Sequence, residues 1–170
     1  MMHFVVLVLG LMIGFSAVAQ NKVGDWVTYK ITSFTETGEI RSGTETFKVL
    51  KIDKESDRVL LQSTVIEKTG TYRSEKIFWV ESDVLFDRAE GESIVSECGR
   101  EGFNGIPETV QVPAGNFAAC RLNYISELSP TWYGAVPFGL VKSAYDTQWH
   151  KDGKFISVTL TKELLEFSKR

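Results

Sequence analysis

Two histidines, His3 and His150, and two cysteines, Cys98 and Cys120, are the whole imidazole and thiol supply of this 170-residue chain. Histidine is the commonest general base, and His150 has Asp146 and Asp152 nearby in sequence, so a Ser-His-Asp relay is the first chemistry to consider. No Gly-x-Ser-x-Gly turn exists to present the nucleophile, and a lone histidine between Trp149 and Lys151 reads as structural or solvent-facing. A zinc set cannot be assembled from His150 and two cysteines that pair with each other. Asp25, Asp53, Asp57, Asp83 and Asp87 fall at turns or strand ends, without the alternating oxygen ligands of a calcium loop. Paired glycosidase carboxylates depend on a separation that only the fold sets. The sequence therefore assigns no catalytic residue, no metal site and no cofactor, and it leaves enzymatic activity unassigned.

The stronger signal is aromatic. A curved sheet can line a concave face with such rings, and Trp132, Tyr133 and Phe138 sit in an apolar loop able to border it, with Tyr29 and Trp79 among the lining residues. Large apolar groups left in water are costly, so this loop should cover a core, a ligand or a partner. The first functional reading is an exported envelope protein that binds a lipid or other apolar ligand on that face. The alternative is a non-enzymatic protein-interaction or envelope-assembly module with an envelope protein as partner. A formal charge of −3 and the lack of a basic block argue against nucleic acid.

The elements that must position these residues begin after a leader. Phe4 to Phe15 is an uninterrupted apolar run, followed by Ser16-Ala-Val-Ala19, with small residues three and one positions before a cut after Ala19. This reads as a signal peptide over residues 1–19, although Met1-Met-His3 lacks Lys or Arg. The run is short for a membrane span of about 20 residues, so no transmembrane segment is expected after cleavage. Residues 20–170 then form a single domain of 170 − 19 = 151 residues, in the periplasm or secreted. An oxidising compartment favours a Cys98–Cys120 disulfide, worth roughly 3 kcal/mol for a loop of that length. Two separately buried thiols are the competing arrangement.

Strand periodicity runs through the domain. Val27, Tyr29 and Ile31 alternate with Trp26, Thr28 and Lys30; further extended segments are expected at Gly43–Ile52, Arg58–Glu67, Thr71–Val80, Val84–Phe86 and Ser93–Cys98. Gly99 to Gly105 is irregular. Glu108 to Tyr124 is a hairpin, because Pro113 presets φ for a turn and Gly115 accepts positive φ after it. Its register stays open: a glycine bulge sets Val112 against Asn116 and Glu108 against Cys120, whereas a four-residue loop sets Val112 against Phe117 and Glu108 against Arg121. The second strand should extend to about Glu127, Leu128–Gly139 should form the apolar loop, and strands should resume over Gly139–Trp149 and from Phe155, the last extending to Phe167 rather than turning helical. The fold class is mainly β: a curved antiparallel sheet, a half-barrel of about eight to ten strands covered by a short apolar loop or helix. Short turns make chain order the expectation for spatial order. A two-sheet sandwich is the competing architecture.

Val112-Pro-Ala-Gly-Asn-Phe117, then Cys120, Trp132, Pro137 and Gly139-Leu-Val-Lys142, resemble a class of uncharacterised bacterial exported proteins. The resemblance implies an antiparallel half-barrel similar to that of the periplasmic lipoprotein carriers and their outer-membrane receptor. It covers roughly Cys98 to Lys142, and its residues serve turns and packing, so it implies a fold more than a function.

Export is directly testable. N-terminal sequencing of secreted material should begin at Gln20, and a retained Met1 would rule the leader out.

Overall fold

The computed structural model describes residues 21–35, 38, 40–123, 129–151 and 153–169. The expected leader, the expected continuation of the hairpin to Glu127, and Leu128 lie outside the described residues. Four strands come first: β1 (Trp26–Thr35), β2 (Ile40–Asp53), β3 (Arg58–Glu67) and β4 (Arg73–Glu81). A 3-10 turn (Ser82–Val84) and helix α1 (Arg88–Glu97) follow, then β5 (Gly105–Val112), β6 (Gly115–Asn123), β7 (Pro130–Tyr133), β8 (Leu140–Lys151) and β9 (Lys154–Phe167). All nine strands join one sheet in the order β4-β3-β2-β1-β9-β8-β7-β6-β5. Every pairing is antiparallel, and the sheet does not close into a barrel. The mainly β, single-sheet class expected from periodicity is the one formed, and β9 extends to Phe167 as expected.

Spatial order departs from chain order. After β4 the chain crosses by the 3-10 turn and α1 to the far edge, then works back strand by strand until β9 lies against β1, pairing Val27 with Phe167 and Thr35 with Val158. Short turns favour neighbours, but β1 would otherwise keep one whole flank of donors and acceptors unpaired, and β9 satisfies it. The end of that ladder is clamped: Ser168 N–H donates to Trp26 O at 3.0 Å, and Ser168 Oγ accepts from Trp26 N–H at 3.3 Å.

The strand expected at Ser93–Cys98 is instead the second half of α1. The cause is a capping box: Glu90 N–H donates to Asp87 Oδ1 at 2.8 Å while Asp87 N–H donates to Glu90 Oε2 at 2.7 Å, satisfying two otherwise orphaned groups. Val84–Phe86 is likewise not a strand; the chain turns there before entering the helix.

The hairpin adopts neither anticipated register. Val112 faces Gly115 and Glu108 faces Ala119, so the loop holds only Pro113 and Ala114. Gly115, at φ 131°, takes the unusual backbone rotation inside the strand itself, which removes the need for further loop residues. Glu108 and Arg121 still meet, but diagonally, with Oε1 and Nε 3.1 Å apart as an ion pair rather than an aligned hydrogen bond. The tip is tied across the sheet by Ala114 N–H donating to Leu164 O at 3.0 Å.

Two apolar clusters form the core. One gathers Val27, Tyr29, Val110, Val112, Val136, Val141 and Leu164; the other gathers Val49, Val59 and Leu61. Phe138 packs against both. Its φ of 62° is unusual for a residue with a side chain, and Gly139 follows at 66°. The expected Leu128–Gly139 loop is in its described part the short strand β7 and this turn, and both pack inward.

The disulfide joins Cys98, just past α1, to Cys120 on β6, with Cα atoms 5.7 Å apart, and the described residues hold no free cysteine. It ties the crossing segment to the sheet, and Cys120 is fully buried. Along α1 the contact with the β7–β8 turn is so close that a Cβ at Gly91 would stand 2.0 Å from Gly134 O.

Gly91→Ala should therefore destabilise the fold although alanine is the better helix former by about 1 kcal/mol. The clash is with backbone, so the helix must lift, and a net loss on the order of 2 kcal/mol is expected in urea denaturation. Ser93→Ala on the exposed side of the same helix should be neutral or mildly stabilising.

Candidate functional site

The five aromatic residues singled out above divide between two faces. Alternation from the paired registers sets Tyr29 and Tyr133 on one face, and Phe138 packs there with its ring centroid 6.3 Å from that of Phe47. Tyr29 meets Phe47 edge-on at 6.4 Å and is only 2 % exposed. Tyr133 stacks on Phe86 at 4.9 Å, close to Gly139. By register Trp132 and Trp79 point to the opposite face, far apart in the strand order, and Trp132 also packs against the cluster that holds Tyr29.

Trp132 belongs to a polar row that crosses the sheet. Its indole N–H donates to Glu108 Oε2 at 2.7 Å, Lys142 Nζ sits 5.7 Å from the ring centroid, and Lys142 pairs with Glu163 at 2.9 Å. Register explains this: Arg121, Trp132, Lys142, Glu163 and Lys30 stand directly opposite one another on successive strands. Arg121 and Lys142 flank the Trp132 ring, Glu108 and Glu163 offset their charge, and these four side chains are partly shielded from water, which favours order over reactivity.

On the Tyr29 face, Lys162 Nζ reaches Glu45 Oε2 at 2.6 Å across β1 and lies 5.9 Å from the Phe47 ring. The Tyr29 hydroxyl beneath has no hydrogen-bond partner among the described residues. Burial, with the Glu45 carboxylate and Tyr133 adding to it, pushes the Tyr29 phenol far above its ordinary pKa.

The described surface includes three clefts. One of about 370 Å³ is lined by Ile52, Asp57, Val59, Asp83, Leu85 and Asp87, at the start of α1. Another of about 420 Å³ lies over Lys30, Thr44 and Ile66, and a third of about 620 Å³ over Phe34, Asp146 and Thr159. None of the three is lined by Tyr29, Trp79, Trp132, Tyr133 or Phe138. Among the described residues no group of His, Cys, Asp and Glu is gathered as metal donors, and no helix is long and apolar enough to cross a membrane.

One exposed apolar stretch lies on a sheet edge. β4, Arg73-Ser-Glu-Lys-Ile-Phe-Trp-Val-Glu81, pairs with β3 alone among the described strands, and Ile77, Phe78 and Trp79 are 58 %, 37 % and 36 % exposed. Trp79 is flanked by Lys51 Nζ at 5.9 Å and Arg58 Cζ at 5.8 Å from its ring. The strand has no proline and no bulge to blunt it, although it carries Arg73, Glu75, Lys76 and Glu81. At the other edge, β5 carries Pro107, which lacks an N–H, against which Gly99 packs. The density of strand formers in Lys76–Val80 was visible in sequence; that this strand would be an edge was not, because edge status depends on the crossover.

The unpaired Tyr29 hydroxyl makes two expectations. Tyr29→Phe keeps the ring and removes a group without a partner, so stability at pH 7 should be unchanged or higher by up to about 1 kcal/mol. Because the folded protein holds that proton more tightly than the unfolded chain, stability is full below about pH 10 and falls above it. Alkaline unfolding followed by circular dichroism should show this loss in the wild type and a smaller one in Tyr29→Phe.

No protein-family model matches the chain, and no curated protein matches it. Solved structures of similar shape include the following two. A Bacteroides fragilis NCTC 9343 protein, described as exported and of YmcC-like fold, aligns with a TM-score of 0.46 at 14 % identity, over 88 % of this chain and 98 % of its own. A Parabacteroides distasonis ATCC 8503 protein, described as a lipoprotein, aligns with a TM-score of 0.43 at 13 % identity, over 88 % of this chain and 97 % of its own. At these values the likenesses carry no statement about activity, ligand or compartment.

Proposed function

We propose that this is an exported, non-enzymatic interaction module that docks an extended segment of an envelope protein along the open edge at β4. The observation that carries the reading is the nine-residue strand itself, whose outer N–H and C=O groups face no described strand while Ile77, Phe78 and Trp79 stand exposed beside them. Main-chain groups give affinity in strand addition, and alternate side chains give selectivity. The leader over residues 1–19 and the Cys98–Cys120 disulfide both fit an oxidising compartment outside the cytoplasm.

The apolar-ligand reading draws its support from the carrier-like resemblance and from the grouping of Tyr29, Tyr133 and Phe138. It is weighed second, because those rings, and Trp132 beside them, are engaged in packing, while Trp79 belongs to the other face.

A photo-crosslinking residue at Ile77 or Trp79, expressed in the native envelope, should capture a defined protein partner, whereas one at exposed Phe155 should not. Ile77→Pro should abolish that capture while leaving the fold intact by circular dichroism, since an edge strand tolerates a proline whose missing N–H faces outward. Equal labelling from Phe155, or capture that survives Ile77→Pro, would overturn the docking reading. Lipid recovered by native mass spectrometry, with no β4 crosslink, would favour the ligand reading instead.

A further inference from the structure

We propose that the occupant of the β4 edge is a second copy of the same chain, paired antiparallel about a two-fold axis through Ile77, so that two nine-stranded sheets become one. This inference rests on the edge-docking reading above and names its partner.

Main-chain phase is the first argument. At one end of the β3–β4 ladder Glu67 N–H donates to Tyr72 O at 3.0 Å, and at the other Ser82 N–H donates to Asp57 O at 3.0 Å. Both belong to the same register that pairs Arg58 with Glu81 and Ile66 with Arg73. Bonding in an antiparallel ladder alternates from residue to residue, so Ser74, Lys76, Phe78 and Val80 turn their backbone groups toward β3. Arg73, Glu75, Ile77, Trp79 and Glu81 turn theirs outward. An axis through Ile77 sets outward residue against outward residue along the strand: Ile77 against itself, Glu75 against Trp79, and Arg73 against Glu81. Each such pair can exchange both of its backbone hydrogen bonds.

Charge is the second argument. A two-fold axis perpendicular to the sheet keeps faces matched, so it must pass through a residue rather than between two. Through Ile77 it brings Arg73 of each copy opposite Glu81 of the other and Lys76 opposite the ring of Phe78. Moved to Lys76, it sets that lysine against its own copy; moved to Phe78, it sets Glu75 against Glu81 on both sides. Like charges directly opposite on neighbouring strands are destabilising. Of these centrings only the one at Ile77 uses the whole of β4 without such a clash, and it also covers the most exposed apolar residue of the strand.

The register makes a test that other interfaces would not pass. Wild-type protein should dimerise in sedimentation velocity at concentrations from about 1 µM upward. Arg73→Glu sets Glu against Glu, and Glu81→Arg sets Arg against Arg, so each variant alone should associate at least about tenfold more weakly. Mixed together, the two variants restore opposite charges at both ends and should recover the dimer. Circular dichroism and thermal melts of each variant confirm that its monomer is folded, so loss of the dimer is read as loss of pairing. A wild-type monomer at all concentrations, a dimer that persists in both single variants, or a mixture that stays monomeric would overturn the proposal. If the wild type is monomeric and crosslinks from Ile77 capture another envelope protein, the second copy is excluded while the docking reading stands.

Discussion

The ladder between β1 and β9 is the constraint on which the rest of this protein depends. One four-strand meander leads outward from β1 and one five-strand meander leads inward to β9, and only this pairing makes them a single sheet. Its register shifts between Thr28 and Tyr29. A shift of this kind accentuates twist and re-aims side chains, and here it brings Leu164 opposite Tyr29, where both are buried. Ser168 closes the end of the ladder against Trp26, and the turn at Phe138 reinforces the join by packing on the apolar cluster of either half. The positive φ at Phe138 costs on the order of 1 kcal/mol, a strain that persists only because the surroundings hold the ring in place.

Much of the fold was legible because its signals are local. Alternation of Val27, Tyr29 and Ile31 located β1, and the same logic located β2, β3, β4, β8 and β9 to within a few residues. Pro113 and Gly115 marked a turn, and the cysteines' shared position after the expected leader suggested their bond. What escaped was of two kinds. The helix was written in Asp87-Arg-Ala-Glu90, a capping pattern whose meaning was hidden by the apolar Ile94-Val95 that also suits a strand. Spatial order and hairpin register were not local at all: the first depends on β1 preferring β9 on its open flank, the second on a single backbone rotation at Gly115. The placing of the aromatic set was not local either: Trp132 and Tyr133 are adjacent in a strand and so point to opposite faces, yet Trp132 also packs against the cluster that holds Tyr29.

The two sheet edges are treated differently, and the crossover is the reason. The segment from α1 to β5 is stitched down by the disulfide and by Gly99 lying on Pro107, which leaves β5 a shielded border. β4 stands on the side from which the crossover departs, with charged residues at its ends and apolar ones in the middle. Charged ends discourage indiscriminate strand addition, while an apolar centre rewards a matched partner. The sheet thus has one border stitched over and one left open among the described residues.

The meeting of β1 and β9 also governs when the protein can finish folding. A chain read from its N-terminus produces β1 early, yet that strand must wait for residues 158–167 before its second flank is satisfied. Contacts of such long sequence separation are reached slowly, because the loop entropy is spent before the ladder returns it. A polypeptide with this wiring completes its sheet late, once its final strand has arrived.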